Sequence, residues 1–206
     1  MKILAFDTSN GTLSIAILED QRILQLVNIQ ENGKQAEMLV ALLERVLRNN
    51  KIWYSDLDLI ATTKGPGSFT GVRIGLSCAR ALKLATNLPL VLVDSLNAIA
   101  YKHRDHNGQI LAAIDAKMDE FFVAEFFSEN KKLRRLTESR LITKDEFIKI
   151  SQQHNFICGN TTSAEDGVSA DFIGLIAYEE FTEGKNSNDT KPSYLRLPKI
   201  SERKKK

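Results

Sequence analysis

Two stretches of the chain are written to one design. "ILAFDTSNGTLSIAIL" (3–18) and "ILAAIDAKMDEFFVAEFF" (110–127) each run an apolar strand into an aspartate, Asp7 or Asp115, then through a short polar turn into an outgoing strand. The alternation in "TLSIAIL" (12–18) is that of a half-buried strand. A design that occurs twice restricts the fold to two related units, each building its own sheet.

The intervening residues complete the units. A third strand is expected at 23–29, and "KQAEMLVALLERVLRNN" (34–50) sets Met38, Leu39, Leu42, Leu43, Val46 and Leu47 at helical spacing, with Asn49 and Asn50 as a stop. "DLIATT" (58–63) reads as the next strand, followed by a glycine-rich loop, a helix over 69–86, a strand over 90–93 and a helix with Ser95 as its N-cap. In the second half a strand near 133–142 precedes a helix opened by "TKDE", where Thr143 and Glu146 have capping-box spacing. A short strand "FIC" and a helix after Ser169 follow. Two successive β-β-β-α-β-α units predict two α/β lobes, 1–103 and 104–206, divided within "YKHRDHNG" (101–108).

The loop "TTKGPGSFTGVRIG" (62–75) invites a phosphate-binding reading, and its spacing answers most of it. A P-loop requires Gly-Lys-Ser/Thr after its glycines, which is missing, and the dinucleotide fingerprint Gly-x-Gly-x-x-Gly fails by one residue at Gly71. An anion at the start of the helix, beside Ser68 and Thr70, stays open. As packing, Gly67, Gly71 and Gly75 recur every four residues and clear one side of the helix start, while Gly65 and Pro66 shape the loop before it. Ile74, Cys78, Ala81, Leu82 and Ala85 form one apolar stripe, Val72, Leu76 and Ala79 another, and Arg73, Ser77 and Arg80 a narrow polar strip. Such a helix is buried on two sides: its own sheet on one, and helix 34–50, a partner subunit or both on the other.

Composition excludes several classes. The 206 residues are 43% hydrophobic and 26% charged, the balance of a globular protein, and the N-terminal apolar run is too short for a signal peptide, which places the chain in the cytoplasm and away from membranes. Two cysteines, Cys78 and Cys158, have the number and spacing of neither a disulfide framework nor a zinc site, and read as buried free thiols. Of the formal charge of +2, Arg203, Lys204, Lys205 and Lys206 supply four positive charges, so the body is mildly acidic. This cluster reads as a solvated tail, with contact to RNA phosphates as the alternative.

Asp7, Thr8 and Ser9 sit where a strand meets a tight turn: either a carboxylate and hydroxyls facing a metal-bound phosphate, or side chains ordering a hairpin by bonding their own backbone. Asp115 in the second unit adds to the first reading, since two such turns facing across a cleft hold a nucleotide in two-lobed phosphotransferases. No glycine-rich segment suited to adenosine follows in the second half, however, where "CGNTTSAEDG" (158–167) is only loosely similar to one. His103, His106 and His154 lack the i,i+4 pairing of a zinc helix, and the first two read as solvated loop residues. No Gly-x-Ser-x-Gly elbow is present.

With "ILAFDTS" at the start, "KGPGSFTGVRIG", "LAAIDAKMDE" and "PSYLR" (192–196), the chain closely resembles the TsaB family, also called YeaZ. The resemblance implies the two-lobed, ribonuclease H-like fold of actin, Hsp70 and sugar kinases. It implies a non-catalytic subunit of the bacterial machinery that forms N6-threonylcarbamoyladenosine at position 37 of tRNAs reading codons that begin with A. The implied partners are TsaD, which holds the metal and performs the transfer, and the ATPase TsaE, with a homodimer in their absence; ATP and metal then belong to the partners and no cofactor to this chain alone. A separate enzyme makes the threonylcarbamoyl-adenylate. TsaD carries a His-x-x-x-His pair on a helix, whereas the comparable helix here opens "GKQAEMLV", with Lys34 where relatives usually have His. The resemblance also implies an interface on helices 34–50 and 69–86, assigned here to Met38, Leu42, Phe69, Thr70, Val72, Arg73 and Leu76, with Asp7, Thr8, Ser9 and Asp115 as the remnant of a nucleotide site. The competing expectation is a small enzyme, either a nucleotide phosphotransferase or a metallopeptidase of the wider glycoprotease-like family.

Overall fold

The computed structural model describes residues 1–30, 33–163, 166–185, 191–193 and 195, so the basic cluster Arg203–Lys206 lies outside the described residues. The first sheet has the order β3-β2-β1-β4-β5, built from β1 (Lys2–Asp7), β2 (Thr12–Glu19), β3 (Arg22–Gln30), β4 (Leu59–Gly65) and β5 (Leu90–Asp94). Tight turns make β1, β2 and β3 an antiparallel meander, whereas the crossovers through α1 (Gln35–Asn49) and α2 (Phe69–Thr86) lay β4 and β5 parallel to β1.

The second sheet repeats this plan. β6 (Gly108–Lys117) and β7 (Glu120–Glu129) form a hairpin, and β10 (Ile157–Cys158) lies parallel to β6 as β4 does to β1. The strand expected near 133–142 is two strands, β8 (Lys132–Arg135) and β9 (Arg140–Thr143), paired with opposite halves of β7. The break has a local cause: the Glu125 carbonyl accepts from both Leu136 and Thr137 amides, and the Thr137 hydroxyl accepts from the Glu125 amide at 2.9 Å. Strand pairing there gives way to a side chain.

Three helices cover the remaining faces. α4 (Lys144–Ser151) opens with the expected capping box, in which the Glu146 carboxylate accepts from the Thr143 amide at 2.8 Å. α3 (Ser95–Lys102) is capped by Asp94, which accepts from the Asn97 amide at 3.0 Å, so Ser95 is the first helical residue and the expected cap is corrected by one position. α5 (Ala170–Thr182) is apolar on nearly all sides because it is sandwiched, crossing β1 and β2 on one face and touching α3.

The layers account for the strand composition. β1 is apolar on both faces since Leu4 and Phe6 pack with Leu39, Leu43 and Val46 of α1, while Ile3 and Ala5 join a core shared with α3, α5 and the second sheet. Each such Leu or Ile, fully buried, contributes roughly 1.5–3 kcal/mol. Cys158 is fully buried and Cys78 half-buried, and burial raises both thiols, Cys78 to about 11. Two five-stranded sheets, each carrying a β-hairpin and a parallel strand reached through a helix, make up the two-lobed α/β architecture that the resemblance implies.

Candidate functional site

α2 starts at Phe69 because Ser68 caps it, its hydroxyl accepting from the Gly71 amide at 3.3 Å. The glycine side of the helix start faces the turn between β1 and β2. A Cβ on Gly67 would stand 2.8 Å from the Ser9 carbonyl oxygen, one on Gly71 would overlap the Thr8 carbonyl, and one on Gly75 would stand 2.9 Å from the Thr8 hydroxyl oxygen. Thr8 Oγ1 donates to the Gly71 carbonyl at 2.7 Å, and the Ser68 amide donates to the Ser9 carbonyl at 2.8 Å. This corrects the sequence reading of the glycine stripe. The backbone that approaches it is the chain's own Thr8–Ser9 turn, which leaves no room for α1 or a partner helix on that side.

Asp7 lies under this junction, 1% exposed. Its carboxylate accepts from the Thr63 hydroxyl and, at 3.0 Å, from the Ser9 amide. Burial pushes the carboxyl above the ordinary aspartate range, and the bonds from Thr63 and Ser9 only partly oppose it. Asp115 is in the reverse condition. Its partial burial is outweighed by the Lys117 side chain and amide, both at 2.7 Å, which hold the carboxyl below the ordinary value.

Between the lobes runs a cleft of about 790 Å³. Thr8, Ser9, Gly67, Ser68 and Thr70 line it from the first lobe, and Asp115, Lys117 and Asn160 from the second. The structure therefore brings Thr8, Ser9 and Asp115 together across one space and keeps Asp7 out of its lining. Among the described residues, no three His, Cys, Asp or Glu side chains gather where they would hold a metal.

The outer face of α1 and α2 differs from the expected one. Phe69, Thr70 and Arg73 are exposed, with the Arg73 guanidinium 3.6 Å from the Phe69 ring centroid. Met38 is half-buried, however, and Leu42, Val72 and Leu76 are only 4%, 4% and 2% exposed. These three side chains are enclosed within the chain itself, so they are not surface. Exposed apolar side chains that sequence reasoning did not single out are Val40 on α1, Leu84 on α2 and Trp53 just before a 3₁₀ turn, exposed by 53%, 86% and 74%. A signal for Leu84 was present, since it continues the Arg73, Ser77, Arg80 strip by one helical turn.

The histidines of the interlobe segment are not solvated as expected. His103 Nε2 lies 2.7 Å from Asp166 Oδ1, and His106 stacks on Phe156 with ring centroids 4.2 Å apart. Asp166 also takes Lys102 Nζ at 2.9 Å and the Gly159 amide at 2.8 Å, tying the end of α3 to the loop after β10. Asp94 makes a second tie, to Arg135 at 2.7 Å and Ser139 at 3.0 Å.

A family model described as "TsaD: tRNA N6-adenosine threonylcarbamoyltransferase" matches residues 32–175. The tRNA threonylcarbamoyladenosine biosynthesis protein TsaB of Escherichia coli K12 is 31% identical over 150 residues, which span 72% of this chain and 64% of that protein. TsaB of Bacillus subtilis 168 is 29% identical over 182 residues, 86% of this chain and 79% of its own length. The chain belongs to the TsaB (YeaZ) family. YeaZ from Pseudomonas aeruginosa has the same fold, with a TM-score of 0.81 at 22% identity over 94% of this chain and 99% of that one. The matched relatives of Escherichia coli and Bacillus subtilis are both named for tRNA threonylcarbamoyladenosine biosynthesis, and the chain spans just under two thirds of the former's length. The α1 helix of this member contains no histidine, and no described helix is long and apolar enough to cross a membrane.

Proposed function

We propose that the chain is a non-catalytic subunit of the complex that forms N6-threonylcarbamoyladenosine at position 37 of tRNAs reading codons that begin with A, and that it acts by docking on TsaD and activating it. The observation that carries this reading is the state of Asp7. In a fold matched by a transferase family model, the carboxylate at the first strand end is buried and its oxygens are engaged by Thr63 and Ser9. A carboxylate so placed is a structural group, and chemistry falls to the partner. TsaE joins the pair, ATP and metal are held by the partners, and the chain self-associates when alone.

The docking surface in this reading is the outer face of α1 and α2, with Phe69, Thr70, Arg73, Val40 and Leu84 in contact. Exposed aromatic, arginine and aliphatic side chains on neighbouring helices have the composition of an interface centre. Sizing the purified chain with and without TsaD tests this: one co-eluting peak is expected, whereas separate elution at micromolar concentrations rejects the docking.

A further inference from the structure

The turn that joins β6 to β7 is made of three successive left-handed residues, Lys117, Met118 and Asp119, at φ +64°, +58° and +56°. None is glycine, so the turn is held against its own preference. Asp115 holds one side, accepting from the Lys117 amide and ammonium at 2.7 Å, and the Lys144 amide holds the other, donating to the Asp119 carbonyl at 2.8 Å. Beside the turn, between α4 and the loop after β10, lies a cavity of about 580 Å³. Its apolar wall is Phe121 and Phe147, whose rings stack with centroids 4.3 Å apart, together with Met118 and Ile148, 74% and 46% exposed. Its polar groups are Asn160 and Thr161. The Asn160 carboxamide oxygen accepts from the Asp115 amide at 2.8 Å, which leaves its NH2 as the donor, and the Thr161 hydroxyl is enclosed with no hydrogen-bond partner among the described residues. On the rim Lys117 pairs with Asp115 at 2.7 Å and Lys144 with Asp119 at 3.4 Å, so ammonium and carboxylate groups balance.

We propose that this cavity receives one unpaired base of the RNA substrate, splayed out of its strand, an inference that rests on the reading above that the chain works on tRNA. A concave space of this size suits a single heteroaromatic ring system, whereas a docking helix needs a long groove. The aromatic and thioether side chains give a base a face to stack on, and Asn160 and Thr161 give its edge a donor and a hydroxyl. The balanced rim exerts little net pull on a phosphate backbone, so the cavity selects an unstacked base over a duplex. Exposed ion pairs such as Lys144 with Asp119 are weak enough to exchange for the phosphate next to that base.

Methyl NMR on the full chain, titrated with an anticodon stem-loop RNA, tests the site. The Met118 and Ile148 methyl signals should shift through the ring current of the bound base, and should stay in place with a blunt duplex of the same stem. The double variant Met118→Ser, Ile148→Ser alters exposed side chains, and should weaken stem-loop binding about tenfold while duplex binding and TsaD co-elution stay unchanged. The proposal is overturned if both methyls stay still up to about millimolar RNA, or if the duplex moves them equally. Displacement of the stem-loop by excess AMP also overturns it, assigning the cavity to a free mononucleotide, and loss of TsaD binding in the variant overturns it in favour of a protein contact. Failure of the natural chain to co-elute with TsaD counts against the docking reading instead, and leaves the NMR result on the chain alone standing.

Discussion

Gly71 and Thr8 are locked together: the Thr8 hydroxyl donates to the Gly71 carbonyl at 2.7 Å, and the Thr8 carbonyl oxygen occupies the place a Gly71 side chain would need. The obstacle is backbone, which cannot rotate aside. Gly71→Ala should therefore destabilise the chain by about 3 kcal/mol, at the upper end of overpacking costs. At Gly75 the nearest atom is the Thr8 hydroxyl oxygen, a side-chain atom that can shift by loosening its bond to the Gly71 carbonyl, so Gly75→Ala should cost less, about 1–2 kcal/mol. Urea unfolding of the two variants checks the order.

Asp7 gives stability a defined pH dependence. Its folded carboxyl is raised above the ordinary aspartate value, so its contribution is present in full below that value and is lost as pH rises through the folded one. Asparagine fits the same partners, its oxygen facing the Ser9 amide and its NH2 the Thr63 hydroxyl, which also accepts. Asp7→Asn should then gain stability relative to the natural chain as pH rises from 4 to 8. Thermal unfolding across that range measures the gain, and a constant difference would contradict it.

Asp166 should behave in the opposite sense. Burial alone would raise its carboxyl, but the Gly159 amide, Lys102 and His103 hold it below the ordinary value. The stability it supplies is present above the ordinary aspartate pKa and lost as pH falls through the depressed one. Asp166→Ala should cost about 2 kcal/mol near neutral pH, the scale of charge-assisted bonds left unpaired, and the difference should shrink in acid.

The α1–α2 face separates packing from docking. Val72→Asp or Leu76→Asp buries an unpaired charge and should cost several kcal/mol, seen as loss of the folded circular dichroism signal. Arg73→Glu and Leu84→Asp alter exposed side chains and should change folding stability by under about 0.5 kcal/mol while weakening TsaD binding by about tenfold or more. Binding unchanged in both exposed variants would place the interface elsewhere.

Much of this architecture is legible in the residues. The bounds of α2 follow from Ser68 and the apolar stripes, and the duplicated Asp7 and Asp115 designs announce the two sheets. What local pattern does not hold is which face meets which neighbour. Gly67, Gly71 and Gly75 signal close approach, yet they read the same whether the approaching backbone is a helix or the Thr8–Ser9 turn of a strand 60 residues earlier. Leu42, Val72 and Leu76 likewise give a stripe, and a stripe facing the chain's own core has the periodicity of one facing a partner. His103 looked solvated because Asp166, its partner, is 63 positions away.

The central claim, that this chain supports chemistry performed by another subunit, is tested most directly by tRNA modification in vitro. With TsaD, TsaE, ATP and threonylcarbamoyl-adenylate present, adenosine 37 should be modified when the chain is added and remain at background without it, and the chain alone should give no product. Equal modification with and without the chain, or product from the chain by itself, would contradict the account.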